Sequence, residues 1–435
     1  MTVTEPEAPV LAPPSARYGW AVVGMLWLIC FFNYADRMAV TAIFPLLKKE
    51  FGFSKTELGL IGAAFTWVYA AAAPLAGQAG DRWPRKTVIL GGLAIWSVIT
   101  GFTALCSRLM QFVVVRGAEG LGETFYFPAS MSLISDYHGH KTRSRAMSLH
   151  QTGVYAGTVG GSVLAGWMGQ EYGWRSPFVL LAIAGVTLGV LLALFIREPR
   201  RNEAERALRG EPAAQGEPVA IPMGRFLAEL VRTPTALLLA AAFFGANLVG
   251  QIFLTWMPTF LHEKFNLHLA LAGFEATFFM QFASMIGATI GGTLADRWRQ
   301  RRVGGRILVQ AMGTFLGAPF IFLCGTTLNP TRLAVALTLF GLCKGLYDAN
   351  IWASLYDVVP PSRRGAAAGL MNMIAWIGGG LGAFGIGVAA DHHITMSVAI
   401  ASTAVVYLAV ALMLVVAATV SMPRDSRQHN EMGGI

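Results

Sequence analysis

Charge is what this sequence has least of. Only 13% of its 435 residues are Asp, Glu, Lys or Arg, about half the share of a soluble domain. Cysteine is scarce as well. The four present (Cys30, Cys106, Cys324, Cys343) lie in apolar stretches without CxxC or His-rich spacing, which excludes a disulfide scaffold and a thiolate metal site. HExxH, GxSxG and GxxxxGK[ST] are all missing, so no metalloprotease, serine hydrolase or nucleotide-binding loop is expected. Neither an enzyme nor a cofactor or metal site is expected. No cleavable signal is evident: residues 1–16 are polar and Pro-rich, and the first apolar run is expected to act as an uncleaved insertion signal.

Apolar residues and glycine take the place of charge. The chain is 54% hydrophobic with 49 glycines and a mean hydropathy of +0.54. A membrane span needs about 20 apolar residues. Twelve runs qualify: 17–46, 56–79, 87–107, 109–135, 145–168, 175–196, 233–261, 269–293, 306–327, 333–356, 365–389 and 395–420. The expected fold is an all-α membrane protein of twelve transmembrane helices in two pseudo-symmetric six-helix bundles. A net charge of +9 would suggest nucleic acid for a soluble protein, but here it follows the positive-inside rule. With both termini cytoplasmic, 23 Lys/Arg fall inside and seven outside. The expected location is a plasma (inner) membrane, as a monomer among lipids with no nucleic-acid partner.

The longest polar interruption, 197–232, holds seven Arg and six Glu and reads as a cytoplasmic linker. It separates an N-terminal bundle (1–196) from a C-terminal bundle with a short tail (233–435). The halves echo each other. Gly77-Gln78-Ala79-Gly80-Asp81-Arg82-Trp83-Pro84-Arg85-Lys86 follows span two, and Gly292-Thr293-Leu294-Ala295-Asp296-Arg297-Trp298-Arg299-Gln300-Arg301 follows span eight. Gly120-Leu121-Gly122-Glu123 in span four likewise matches Gly345-Leu346-Tyr347-Asp348 in span ten. Two matches at corresponding spans indicate duplicated halves, an architecture of secondary transporters.

A charge within the bilayer costs at least about 2.5–3.5 kcal/mol, so such residues point to a wet cavity or a partner. Three basic residues lie inside spans: Arg37, Arg116 and Lys344. Five acids accompany them: Asp36, Glu119, Glu123, Glu275 and Asp348. Arg116, Glu119 and Glu123 share one helix face at i, i+3 and i+7. Lys344 and Asp348, at i and i+4, are spaced to pair directly. If all were ionised the region would carry −2, so one or two acids are expected to hold a proton in part of the cycle. A protonated Asp36 or Glu123 would free an arginine, whose planar fork suits a carboxylate. Tyr34, Tyr69, Tyr155, Tyr347, Asn350 and Asn372 offer further polar groups, although a lone aromatic in a span more often packs than binds a ligand.

The GxxxDRxxRK loop resembles the signature of the major facilitator superfamily, and the resemblance covers essentially the whole chain. It implies alternating access and gating roles for Asp81, Arg82, Arg85, Asp296 and Arg297. Asn33-Tyr34-Ala35-Asp36-Arg37 with Arg116-Gly117 through Glu123 resembles the organic anion:proton symporters, which carry sugar acids. That branch implies proton coupling at Asp36 and Glu123. It also implies substrate contacts at Arg37, Arg116 and Tyr69, with Tyr34, Lys344, Asp348, Asn350 and Asn372 completing the candidate set. Gly153-Val154-Tyr155 stands where that branch has a glutamine, which leaves the particular substrate open. Arg143 through Ser148 and Arg197-Glu198-Pro199 resemble the Spinster-like lysolipid transporters. The expectation leans to a small organic anion carried with protons, with a lysolipid or other amphiphile as the alternative.

Overall fold

Fifteen α-helices and no strand are found among the described residues, 16–139, 142–199, 233–359 and 364–425 of this computed structural model. The first half runs α1 (Ala16–Ala42), α2 (Phe44–Phe51), α3 (Lys55–Arg82), α4 (Arg85–Thr103), α5 (Leu109–Thr124), α6 (Tyr126–Tyr137), α7 (Arg143–Tyr172) and α8 (Ser176–Phe195). The second runs α9 (Pro234–Phe265), α10 (Leu269–Arg301), α11 (Gly305–Thr326), α12 (Pro330–Asp348), α13 (Ile351–Tyr356), α14 (Arg364–Asp391) and α15 (Met396–Val416). The expected linker beyond Pro199 lies outside the described residues.

Nine of these helices are long and apolar enough to cross a membrane. The crossings made by α5 with α6, by α7, and by α12 with α13 bring the fold to twelve. Those three are the spans where polar residues or breaks interrupt the apolar run. Exposed Leu194, Phe195, Ile290 and Val405 belong to an apolar outer surface suited to lipid.

Three spans read as continuous in the sequence are broken. Pro45 has no N–H to offer the Thr41 carbonyl, and α1 gives way to α2 at Ile43. Pro128 likewise cannot bond the Thr124 carbonyl, and span four is interrupted at Phe125. Span ten breaks at Ala349–Asn350 without a proline. There the Asn350 Nδ2 donates to the carbonyls of Leu346 (3.1 Å) and Gly291 (3.2 Å), so a side chain replaces helix bonds.

Close helix approach places the charged residues. A Cβ on Gly157 or Gly161 of α7 would collide with the α1 backbone at Phe31 and Ala35, so only glycine lets α1 lie this close. The halves meet along α3 with α14 and α7 with α10. Hydrogen bonds between the halves gather at the face opposite the one where α1 begins. Lys48 and Lys55 reach Glu263 at 3.2 and 2.9 Å, and Asp391 accepts from the backbone N–H groups of Lys55 (3.1 Å) and Thr56 (2.7 Å). Glu171 meets His268 at 3.3 Å, and Gln170 accepts from the Leu269 N–H at 2.9 Å. The halves are thus latched at that face.

Candidate functional site

Five charged side chains from α1 and α5 form one sealed cluster. The Arg37 Nε donates to Glu123 Oε2 at 2.6 Å, with side chains 5% and 0% exposed. Arg116 pairs with Glu119 one turn along α5, and Thr103 Oγ1 donates to Glu119 Oε1 at 3.1 Å. Asp36 is also buried, facing Glu123, Glu119 and Arg116, but it makes no ion pair among the described residues. Three carboxylates therefore stand against two guanidiniums.

Aromatic rings enclose the arginines. The Arg37 guanidinium lies over Tyr34 (4.5 Å), Tyr69 (4.9 Å), Phe65 (5.0 Å) and Trp376 (5.7 Å). Arg116 lies 4.8 Å from the same Phe65 ring, which thus serves both cations. Trp376 comes from α14 in the second half and also packs on Tyr69 at 4.9 Å. Sequence reasoning missed Phe65 and Trp376. Phe65 sits four residues before Tyr69 on α3, a helical spacing that could have flagged it. Trp376 carries no such signal, since only packing of the halves brings it to Arg37.

Among the described residues, several polar atoms of this cluster have no hydrogen-bond partner: Asp36 Oδ1, Arg37 Nη1, Glu123 Oε1 and Arg116 Nε, and so do both amide atoms of buried Asn33, one turn before Arg37 on α1. Buried polar groups are nearly always satisfied, so their concentration here marks a place built to exchange partners.

The charges of the second half are arranged differently. Lys344 pairs with Asp348 along α12, with side chains 20% and 41% exposed, so this pair is open where the Arg37 pair is sealed. Tyr155 of α7 faces both partners from the first half. Gly250 of α9 leaves room beside the lysine, whose Cε lies 3.8 Å from where a Cβ would stand. Asn372 is half-buried on α14, one turn before Trp376. Asn350 is not brought to these groups, because its amide is spent on the break in span ten. Glu275 stands apart on α10, on the same helix side as exposed Phe282 and Ile286.

At the face where α1 begins, Arg85 binds Asp136 at 2.7 Å and Glu198 at 2.9 Å. The second half repeats the first of these contacts: Arg306 binds Asp357 at 3.0 Å, the same number of residues further along for both partners. Arg306 also holds Asp296 at 3.0 Å, and Arg299 approaches Asp357 at 3.4 Å. Arg306 and Asp357 were not singled out from the sequence, whose two matches are offset by 215 and 225 residues and so lead from Arg85 to Gln300 and from Asp136 to Pro361, whereas the contact recurs after 221. Arg297 is exposed. The side chains of Asp81 and Arg82 lie outside the described ones.

Two six-helix bundles with charged residues paired at mid-depth define a multi-pass membrane transporter. The chain belongs to the Major Facilitator Superfamily, whose family model matches residues 26–383. It is 26% identical over 389 residues to the probable galactarate/D-glucarate transporter GudP of Escherichia coli, covering 84% of this chain and 85% of that one. It is also 26% identical over 406 residues to protein spinster homolog 1 of Xenopus laevis, covering 89% and 76%. Among solved structures, it superposes on a bacterial homolog of the human lysosomal transporter Spinster, in an inward-facing and unoccupied conformation. The TM-score is 0.76 at 21% identity, with 95% of this chain and 98% of that chain covered. These relatives are transporters, not enzymes.

Proposed function

We propose that this protein carries a small organic anion, a carboxylate of the sugar-acid kind, together with protons by alternating access. The observation that carries the reading is the charge of the sealed cluster. Asp36, Glu119 and Glu123 against Arg37 and Arg116 leave one negative charge in a place that excludes water. An uncompensated buried charge is costly, and one proton removes it. Protonating Glu123 also releases Arg37 from its ion pair, so that its fork can take a substrate carboxylate against Tyr34 and Tyr69. Asp36 and Glu123 are thus the coupling acids and Arg37 the anion anchor. Arg116, paired with Glu119, sets the charge of the cluster. Lys344 and Asp348 line the path to it, with Asn372 near its edge.

The latched face is proposed to be the outer one, and the face with both termini cytoplasmic, in a plasma membrane. The excess of Lys/Arg on the loops of the terminal face supports this orientation. The division into bundles 1–196 and 233–435 joined by a cytoplasmic linker follows, with one chain sufficient for the whole path. Arg85 with Asp136, and Arg306 with Asp357, brace the cytoplasmic ends of each bundle, near the proposed gate residues Asp81, Arg82, Asp296 and Arg297.

A lysolipid carrier would call for an apolar groove between the halves. Two apolar grooves among the described residues, of about 520 Å³ (Leu237, Phe244, Ile374, Val406, Met413) and 690 Å³ (Phe315, Phe322, Val405, Leu408), each lie within the second half. Proteoliposome uptake tests the reading. Galactarate should accumulate above its external level under an inward proton gradient, and Asp36→Asn with Glu123→Gln should only equilibrate it. Accumulation by that double variant, or uptake of lysophospholipid alone, would overturn the proposal.

A further inference from the structure

We propose that the Lys344–Asp348 pair is a second anion station, so that the transported species is a dicarboxylate held by one carboxylate on each half. This rests on the proposed anion-symport reading and deepens it.

The duplicated halves make the case. The helices that open at Leu109 and Pro330 lie 221 residues apart, as do Arg85 and Arg306, and that spacing puts Lys344 in span ten at the place of Glu123 in span four. Each half holds one cation against an acid within the membrane, Arg37 with Glu123 in the first and Lys344 with Asp348 in the second. Both cations also lie at the same depth. Glu123, which pairs with Arg37, is 14 residues from Leu109 at the start of α5, and Lys344 is 14 residues from Pro330 at the start of α12, about 21 Å from the latched face in each case.

The stations are covered reciprocally. The first-half cation lies under Trp376 of the second half, 5.7 Å from its ring, and the second-half pair faces Tyr155 of the first. A ligand spanning the two stations therefore draws on both halves at once, which is what closure around it requires.

Self-pairing is the plain alternative for Lys344. Its exposure speaks against that. A pair kept only to neutralise two charges gains by being sealed, as Arg116 with Glu119 is at 3% and 1%, whereas Lys344 and Asp348 are 20% and 41% exposed. Asp348 holds the lysine until a stronger or better-placed carboxylate arrives. A monoanion uses one station and leaves the other pair as it is.

Galactarate and galacturonate test this, because both have six carbons and they differ in having two carboxylates or one. Affinities would be measured by thermal stabilisation of purified full-length protein at acidic pH. The wild type should bind galactarate at least about tenfold more tightly, the scale of one charge-assisted contact. Lys344→Gln should lower galactarate affinity about tenfold more than galacturonate affinity, while Arg37→Gln should weaken both. Asp348→Asn, which leaves the lysine unpaired, should keep the preference and tighten galactarate binding, because no internal carboxylate then competes for the lysine. It serves equally if Lys344→Gln does not fold. Equal affinity of the wild type for the two probes, or an equal loss of both in Lys344→Gln, would overturn the second station. Binding of neither sugar acid alongside lysophospholipid binding would instead overturn the anion-symport reading beneath it.

Discussion

Asp36 is the buried carboxylate left without an ion pair, and that sets what its removal should do. Its charge is the surplus of the cluster, so Asp36→Asn relieves an unfavourable burial rather than breaking a contact. The variant should therefore melt at or above the wild-type temperature and yet fail to concentrate substrate. Glu119→Gln should do the opposite to stability. It strips the buried Arg116 of its partner, at a cost of about 3 kcal/mol, and thermal unfolding in detergent should read that as a clear drop. A lower melting temperature for Asp36→Asn than for Glu119→Gln would mean that the charge accounting is wrong. The acids and bases themselves were legible in the sequence, because charges are conspicuous in an apolar chain. Their caging was not. Phe65 and Trp376 are two aromatics among many, and nothing local sets Trp376 apart from a packing residue.

At the scale of the element, glycine decides where α1 can run. Gly157 and Gly161 let it lie against α7, which holds Asp36 and Arg37 at their places opposite α5. Gly161→Ala should push the α1 backbone away at Ala35, costing about 1–3 kcal/mol and weakening substrate binding next door. Gly24→Ala on α1 has open space and should leave stability unchanged or slightly raised. Equal melting temperatures for the two variants would contradict the close-packed arrangement. The spans were readable as apolar runs, and their charge bias gave an orientation. Helix breaks were harder. Pro45 and Pro128 announce two of them, whereas the break at Asn350 depends on a carbonyl of α10 that only tertiary packing supplies.

For the whole molecule, the latch between the halves is the feature that must open if access alternates. Lys48 and Lys55 with Glu263 are partly exposed and worth about 0–1 kcal/mol each, and the Asp391 contacts at the start of α3 add about 1 kcal/mol. Glu263→Gln with Asp391→Asn should then shift the population toward the state open at this face by roughly fivefold or more. Spin-label distances across that face should show a longer component than in the wild type. An unchanged distribution would mean that the ion pairs only decorate the contact of α3 with α14.

Proton movement with the anion is the centre of the account, and it can be watched directly. Proteoliposomes would be loaded with a luminal pH dye, voltage-clamped with valinomycin and potassium, and started with no pH difference across the membrane. Adding external galactarate should acidify the lumen as protons enter with it, and Asp36→Asn with Glu123→Gln should abolish that signal. Galactarate entry with no luminal pH change would contradict the account.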